Sequence, residues 1–236
     1  MSDFILHGRP GSGKTGVIRH LLSSIGAVHA HVRCTGVFGY REVYEQSLSG
    51  LARSAVALAP ELSQAWMCLA YADWRAGHYR WSDEPRDEQL ARALAEAERA
   101  VMLDPRDPDA HYVLALSAGY SRGERLRSTE VLRHCLRLSP SYAPAYGLLA
   151  MSAERHGHHD EARALCDKAF ELSPLEPLRV IWHFVRAEAA LATGDSPTAL
   201  NEAQRGMAVN PSYGQLFLVG AVAAWRLGGL EPAAQD

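Results

Sequence analysis

The chain has 236 residues, of which 47% are hydrophobic and 22% charged, and its net charge at neutral pH is −3. This balance is typical of a globular protein, whereas proteins that grip nucleic acid through many phosphates usually carry a basic excess. No apolar run reaches the ~18 residues that a membrane span needs, and the N-terminus lacks the pattern of a signal peptide. Composition therefore argues against direct nucleic-acid binding and against a membrane location, and we expect an intracellular, cytoplasmic protein.

A phosphate-binding loop is predicted near the start of the chain. Residues 8–15, Gly-Arg-Pro-Gly-Ser-Gly-Lys-Thr, fit the pattern G-x-x-x-x-G-K-[ST] at every fixed position. The loop follows a predicted strand, Phe4-Ile5-Leu6, and leads into a predicted helix from Lys14 to about Ser24. In this context the pattern indicates a nucleotide site. The alternative is a glycine-rich turn that matches by accident.

The residues of this loop have defined roles toward ATP bound with Mg²⁺. Glycines let the backbone N–H groups approach the β-phosphate closely, and the N-terminus of the following helix attracts its negative charge. Lys14 would reach the β- and γ-phosphates, and the Thr15 hydroxyl would bind Mg²⁺. The predicted cofactor site consists of Gly8, Gly11, Ser12, Gly13, Lys14 and Thr15.

Residues 4–48 also resemble the beginning of the AAA+ domain of the origin recognition complex, subunit five. The likeness rests on Ile5-Leu6-His7-Gly8 with the loop after it, on a second predicted strand, Ala30-His31-Val32-Arg33-Cys34, and on residues 43–48. The resemblance implies ATP binding and a nuclear role in ATP-dependent initiation of DNA replication. The family's loop residues match this sequence at Gly8, Gly13, Lys14 and Thr15.

The sequence does not supply the rest of a hydrolytic site. An ATPase of this type needs a third strand ending in a carboxylate that organises Mg²⁺ and the attacking water, and no apolar run here ends in that way. Asp83-Glu84 follows a polar and aromatic stretch, and Met102-Leu103-Asp104 ends a predicted helix. We therefore predict that residues 1–48 form a partial nucleotide-binding segment without catalytic residues, so that the protein is not an enzyme.

From residue 50 onward, prolines and glycines alternate at regular spacing. The step from a glycine to the next proline is 17 residues at 123→140, 157→174 and 194→211. Proline stops a helix, and five prolines each follow an apolar helical stretch: Pro60, Pro105, Pro140, Pro174 and Pro211. The period of about 34 residues resembles that of the tetratricopeptide repeat, in which two helices, A and B, form one unit.

The residues inside the units strengthen this resemblance. Helix A carries a large residue, a leucine and a small residue in Trp66/Leu69/Ala70 and Tyr146/Leu149/Ala150, and Cys135 and Cys166 take small packing positions in helix B. Small residues also mark the helix crossing at Ala93, Ala97, Ala100, Ala162, Ala169, Ala199, Ala203 and Gly206. An insertion of 11 residues after Gly77 resembles arrays attached to bacterial transcription regulators and nucleotide cyclases.

The predicted fold is therefore mainly α: a tetratricopeptide α-solenoid with a small N-terminal α/β fragment. The solenoid covers residues 49–236 in four to five repeats, and a helix from about Arg41 to Leu58 serves as helix B of the first unit. Stacked units form a superhelix whose concave face is lined by helix A. The last unit lacks most of its helix B, which favours self-association through an exposed apolar face.

The concave face is predicted to be an apolar and aromatic groove for a protein segment. It lacks the Lys/Asn pairs with which chaperone-binding relatives hold a peptide's C-terminal carboxylate, so we expect an apolar peptide or amphipathic helix as the ligand. The alternative is that these side chains pack against neighbouring repeats or the N-terminal segment. The predicted partner-binding residues are Tyr71, Trp74, Tyr112, Leu116, Met151, Phe184 and Trp225.

A histidine-rich stretch at residues 156–160 invites a metal interpretation. It lies at a predicted turn between helices, where this repeat family places glycine and polar residues, so a solvated turn is the favoured interpretation. The remaining histidines show no metal-ligand spacing. The sequence contains no G-x-S-x-G nucleophile motif either.

Overall fold

The computed structural model describes residues 40–81, 84–120 and 125–228, and its regular elements are all α-helices. In chain order they are α1 Tyr40–Leu58, α2 Ser63–Tyr79, α3 Arg86–Leu103, α4 Pro108–Tyr120, α5 Arg125–Leu138, α6 Ala143–Arg155, α7 His159–Leu172, α8 Arg179–Ala192, α9 Ser196–Val209 and α10 Gly214–Arg226. No strand occurs within these three ranges. The predicted α/β fragment, with both of its strands and the phosphate-binding loop, lies outside the described residues.

Prolines end the second helix of each unit, as predicted. The helices α1, α3, α5, α7 and α9 all stop two residues before a proline of the repeat pattern. The residue in between leaves the helical region, as at Asp104, Ser173 and Asn210, because a residue before proline is excluded from it. The end of each B helix can therefore be predicted from the position of the proline that follows it.

Small side chains fill the crossings between helices A and B. The predicted alanines of α3, α7 and α9 are all fully buried, and so are Cys135 and Cys166. Burial raises the pKa of both thiols to about 12, so each remains protonated. The prediction that these two cysteines are packing residues is confirmed.

The fourth residue of helix A connects three of the units to the proline before them. In three units a side chain there bonds with the carbonyl oxygen of the proline six residues earlier. Trp66 Nε1 donates to Pro60 at 2.8 Å, Tyr146 Oη donates to Pro140 at 3.1 Å, and His111 Nε2 lies 2.9 Å from the Pro105 oxygen. This bond satisfies an acceptor at the inter-unit turn that would otherwise need water.

The helices stack as a solenoid. Each helix contacts its neighbours in the chain, and α2, α4, α6, α8 and α10 also contact one another in succession, with no longer-range helix pairs in the described residues. These five A helices form one continuous inner face. In α6 a glycine permits the closest approach, because a Cβ at Gly147 would lie 2.6 Å from Cδ1 of the buried Trp182 in α8.

The insertion after Gly77 lengthens two helices rather than forming only a turn. The repeat pattern predicts that α2 ends near Gly77, but α2 continues to Tyr79, and Arg80 takes the left-handed conformation with φ of 54°. The extra turn is stabilised by His78 and Tyr79, whose rings pack on Trp74. The helix α3 is extended as well, to 18 residues against 14 in α7 and α9.

Charged side chains join α1 to the first complete unit. The carboxylate of Asp73 in α2 is 1% exposed and accepts from Arg92 Nε at 2.6 Å, while Arg53 of α1 lies 3.5 Å away. Arg92 also holds Glu84 through two hydrogen bonds of 2.8 and 2.6 Å. A buried charge is costly unless partners of this kind accompany it. The predicted domain boundary at residue 48 falls inside α1, which is one uninterrupted helix.

Glu96 of α3 lies beside this cluster but takes no part in its hydrogen bonds. Its side chain is buried, and Oε2 has no hydrogen-bond partner among the described residues. Burial first, and then the negative charge of Asp73, raise the pKa of this carboxyl from its ordinary 4.5 to about 7. Glu96 therefore lacks the partners that the neighbouring charged side chains have.

Candidate functional site: the concave groove

The groove is the inner face of α2, α4, α6, α8 and α10. The seven predicted groove residues all lie on these helices, but they differ in how far solvent reaches them. Tyr71 and Met151 are half-buried. Trp225 of α10 is 66% exposed. The other four are buried in the packing between neighbouring helices: Trp74, Tyr112, Leu116 and Phe184.

At the α2 end of the groove, an arginine lies among aromatic rings. The guanidinium of Arg75 is 5.7 Å from the ring centre of Tyr71, 5.6 Å from that of Tyr79 and 5.3 Å from that of Trp81. Tyr79 and Trp81 stack with 4.9 Å between their ring centres. Cation–π contacts of this kind fix a positive charge on a flat aromatic surface.

Trp74, His78 and Tyr120 form the floor beside this arginine. The rings of Trp74 and His78 stack at 4.9 Å, and Tyr120 of α4 packs edge-on against both. Trp74 Nε1 and His78 Nδ1 are buried and have no hydrogen-bond partner within the described part of the chain. Burial lowers the pKa of His78, and the charges of Arg86, Arg155 and Arg75 lower it further. The imidazole is thus neutral at physiological pH.

The middle of the groove contains Arg155 and Glu188. Arg155, at the end of α6, is exposed, and its guanidinium donates to the Met151 sulfur at 3.6 Å. Burial raises the pKa of Glu188 on α8, Glu154 raises it further, and Arg155 opposes both effects. Burial also raises the pKa of Tyr213 to about 12, with contributions from Tyr120, Tyr79 and Glu188. Groups from α2, α4, α8 and the start of α10 therefore influence one another across the concave face.

At the α10 end, the groove surface is apolar. Leu218 is 70% exposed, Val222 41% and Trp225 66%. At the equivalent helix A positions Met67 and Tyr71 are half-buried and Trp74, Tyr112 and Leu116 are buried, whereas α10 exposes all three side chains. The groove therefore changes along its length from cationic and aromatic to apolar.

No metal site is found in the described ranges. No three His, Cys, Asp or Glu side chains of residues 40–81, 84–120 and 125–228 come close enough to hold an ion. At the histidine-rich turn, His156 and His158 are exposed, and His159 Nδ1 lies 2.8 Å from Glu154 Oε2. Nor is any described helix both long and apolar enough to cross a bilayer.

Several aromatic groove residues were not among the predicted site residues. Tyr79 and Trp81 belong to the insertion after Gly77, and their position depends on the continuation of α2 to Tyr79. Tyr120 and Arg155 occupy the same place at the ends of α4 and α6. A sequence alignment of the units against one another would have placed these two side by side. Tyr213 precedes α10 as Tyr142 precedes α6, so the same alignment would also have paired these two tyrosines.

The predicted nucleotide-binding residues cannot be placed relative to this groove. Gly8, Gly11, Ser12, Gly13, Lys14 and Thr15 all lie outside the described residues. No family model and no curated protein matches the chain, so these comparisons lend no support to the resemblance to the origin recognition complex.

Solved structures resemble the chain closely in fold. TTC0263, a tetratricopeptide repeat protein of Thermus thermophilus, is 20% identical over 90% of this chain and 98% of its own, with a TM-score of 0.60. PilF of Pseudomonas aeruginosa is 17% identical over 70% of this chain and 69% of its own, with a TM-score of 0.59.

A chain of the APC/C hetero-tetramer Cut9–Hcn1 reaches a TM-score of 0.66 at 16% identity. It covers 79% of this chain but only 35% of its own length. At these identities the likeness is evidence of fold rather than of function. The ten described helices, their proline-terminated units and these structural matches together show that the chain has the tetratricopeptide repeat fold.

Proposed function

We propose that this protein is a non-enzymatic scaffold that binds a segment of another protein along its concave groove. The observation that carries the proposal is the accessible apolar surface of the A helices, above all Leu218, Val222 and Trp225 on α10. Soluble proteins rarely expose adjoining large apolar side chains unless these take part in binding. The Cut9–Hcn1 hetero-tetramer is an example of two proteins assembled around this fold.

An apolar peptide or an amphipathic helix is the ligand that best fits this surface. Such a segment binds by placing apolar side chains at regular intervals into a groove, and the groove offers half-buried Tyr71 and Met151 before the exposed face of α10. Contacts with large, accessible side chains dominate the binding energy of such complexes. We therefore expect Trp225 and Leu218 to contribute most.

A displayed library of random 12-residue peptides provides the test, with the selected peptides then measured by fluorescence anisotropy. Leu218→Ser and Trp225→Ser are each expected to weaken binding about tenfold, because a lost apolar anchor costs about 1.4 kcal/mol or more. Met102→Ser is the matched control, since Met102 on α3 is 70% exposed, as Leu218 is, but lies on a B helix. Equal binding by all three variants would show that the peptide does not bind along the groove.

ATP binding at residues 8–15 is a second candidate function, supported by the complete loop pattern in the sequence. Its test is thermal unfolding with millimolar Mg-ATP, because a ligand that binds only the folded state raises the midpoint. We expect a rise in the wild type and none in Lys14→Ala. If the wild type shows no rise, the loop does not bind ATP. If instead the wild type hydrolyses ATP and Lys14→Ala does not, the protein is an enzyme.

A role like that of an origin-recognition subunit remains the alternative for this segment, and it rests on the resemblance of residues 4–48. It requires ATP-dependent assembly with other proteins of the complex. Mixing experiments with and without ATP distinguish it from the scaffold function, for which peptide binding in the groove is independent of nucleotide.

Self-association through α10 is a further expectation about partners. Phe217 on α10 is 51% exposed and Leu227, which follows α10, is 49% exposed, so both offer apolar surface to a second copy. Sedimentation velocity measures it directly: if a second copy binds here, the wild type dimerises with rising concentration and Phe217→Ser does not. A monomer at all concentrations would exclude this interface.

A further inference from the structure

The described residues form a small pocket inside the groove, between α4, α5 and α6. Its volume is about 100 Å³, and its walls include Ala115, Leu116, Leu148, Met151 and Tyr120. The two serines that also line it are already engaged, because Ser128 donates to the Ala115 carbonyl at 2.7 Å and Ser152 contacts Thr129 at 3.3 Å. The pocket therefore has largely apolar walls in which both serine hydroxyls already have partners.

Arg155 also lines this pocket and forms no salt bridge with a carboxylate of the described residues, while its charge acts on Glu188 across the groove. Arg92, Arg163 and Arg186 each bond with a carboxylate. Arg155 forms no such pair among the described residues, and its guanidinium donates to the Met151 sulfur. Its closest acidic neighbour on the same helix, Glu154, is held by His159 at 2.8 Å. An exposed guanidinium in this state is available for a carboxylate of a partner.

The next inference rests on the proposed function. We propose that the pocket receives one short apolar side chain of the bound protein segment and that Arg155 binds the carboxylate of an Asp or Glu next to that side chain. A volume of about 100 Å³ suits a short apolar side chain such as Val or Leu. Arginine and carboxylate match in geometry and form paired hydrogen bonds.

The surrounding charges favour this orientation. Arg75 on α2 and Arg155 both lower the pKa of His78, whereas Glu188 lies on the α8 side. A segment with its acid toward α2 and apolar residues toward α10 would complement both ends of the groove. The preferred ligand is thus an apolar segment with a single acidic residue next to its pocket anchor.

An oriented peptide library tests this assignment. The probe is a set of nine-residue peptides with one fixed central leucine and random flanking positions, including phosphoserine. We expect wild type to enrich Asp or Glu beside the leucine and Arg155→Glu to enrich Lys or Arg at that position instead. Arg133→Glu is the control, because Arg133 is exposed on α5, a B helix; it should keep the wild-type preference.

The outcomes separate this inference from the proposed function. If no peptide binds, the proposed function fails together with the inference. If peptides bind without acidic enrichment, or if Arg155→Glu leaves the preference unchanged, only the role of Arg155 is overturned. Enrichment of phosphoserine over Asp and Glu would replace the carboxylate by a phosphate and overturn the assignment as stated.

A second variant tests the pocket itself. Ser152→Leu places a larger side chain against a wall of the cavity at a half-buried position. We expect the variant to keep its helical circular dichroism but to bind a selected leucine-containing peptide at least about tenfold more weakly. Unchanged affinity in the folded variant would show that the leucine does not enter this pocket.

Discussion

Gly147 shows how one missing methyl group determines the packing of two repeats. Trp182 is 1% exposed, and its indole occupies the space where a Cβ of residue 147 would lie. We predict that Gly147→Ala destabilises the protein by about 1–3 kcal/mol, since an overpacked core must shift. Gly220→Ala is the control, because its Cβ would lie 3.4 Å from Ala203, an ordinary contact. Urea unfolding of both variants makes the comparison, and equal midpoints would contradict the prediction.

Glu96 makes stability depend on pH in a defined direction. Its folded pKa is raised to about 7, so its ionisation opposes folding progressively as the pH rises from about 4.5 to 7. We predict that Glu96→Gln stabilises the protein at pH 8 by about 2 kcal/mol and that this gain shrinks toward zero near pH 4.5. Denaturation at a series of pH values measures it, and a gain that does not vary with pH would rule out this titration.

The turns between helices of a unit depend on single backbone conformations. Gly194 has a φ of 82°, and a Cβ added there would meet no atom within 4 Å, so only the backbone resists substitution. We predict that Gly194→Ala costs about 1 kcal/mol. Gly214→Ala, in equally open space at the start of α10, should instead stabilise by up to about 1 kcal/mol. Thermal unfolding of the two variants should therefore give midpoints on opposite sides of the wild type.

A helix boundary could be predicted from the sequence where its cause lies in the residues at that boundary. Pro140 and Pro174 end helices by their own chemistry, and Ala162 and Cys166 are small in every context, so the sequence pattern located the units correctly. The extension of α2 past Gly77 depends on rings from two helices packing together, which a linear pattern does not contain.

The same reasoning applies to the groove. Its helices were predictable from the repeat, but whether a groove side chain is open or covered depends on the neighbouring unit. Trp74 and Trp225 occupy corresponding positions in α2 and α10, yet Trp74 is 7% exposed and Trp225 66%, because Tyr120 and His78 cover only the former. The pocket beside Arg155 likewise depends on three helices, because α4, α5 and α6 all contribute to its walls.

At the scale of the whole molecule, stability should vary along the solenoid. A unit is held only by its neighbours, and α10 contacts α8 and α9, whereas α6 is packed on both sides. We predict that backbone amides of α10 exchange hydrogen faster than those of α6, because regions with fewer buried contacts open at lower free energy. Hydrogen exchange read by mass spectrometry resolves the two helices, and equal protection would indicate one cooperative unit.

The two buried cysteines make such opening observable within single repeats. Cys135 belongs to the unit of α4 and α5, and Cys166 to the unit of α6 and α7. A thiol reagent must reach the sulfur and needs its thiolate form. In the folded array both sulfurs are buried, and burial keeps both protonated. Each sulfur would therefore become reactive only when its own unit opens. The labelling rates of these two thiols would thus record the order in which adjacent repeats separate.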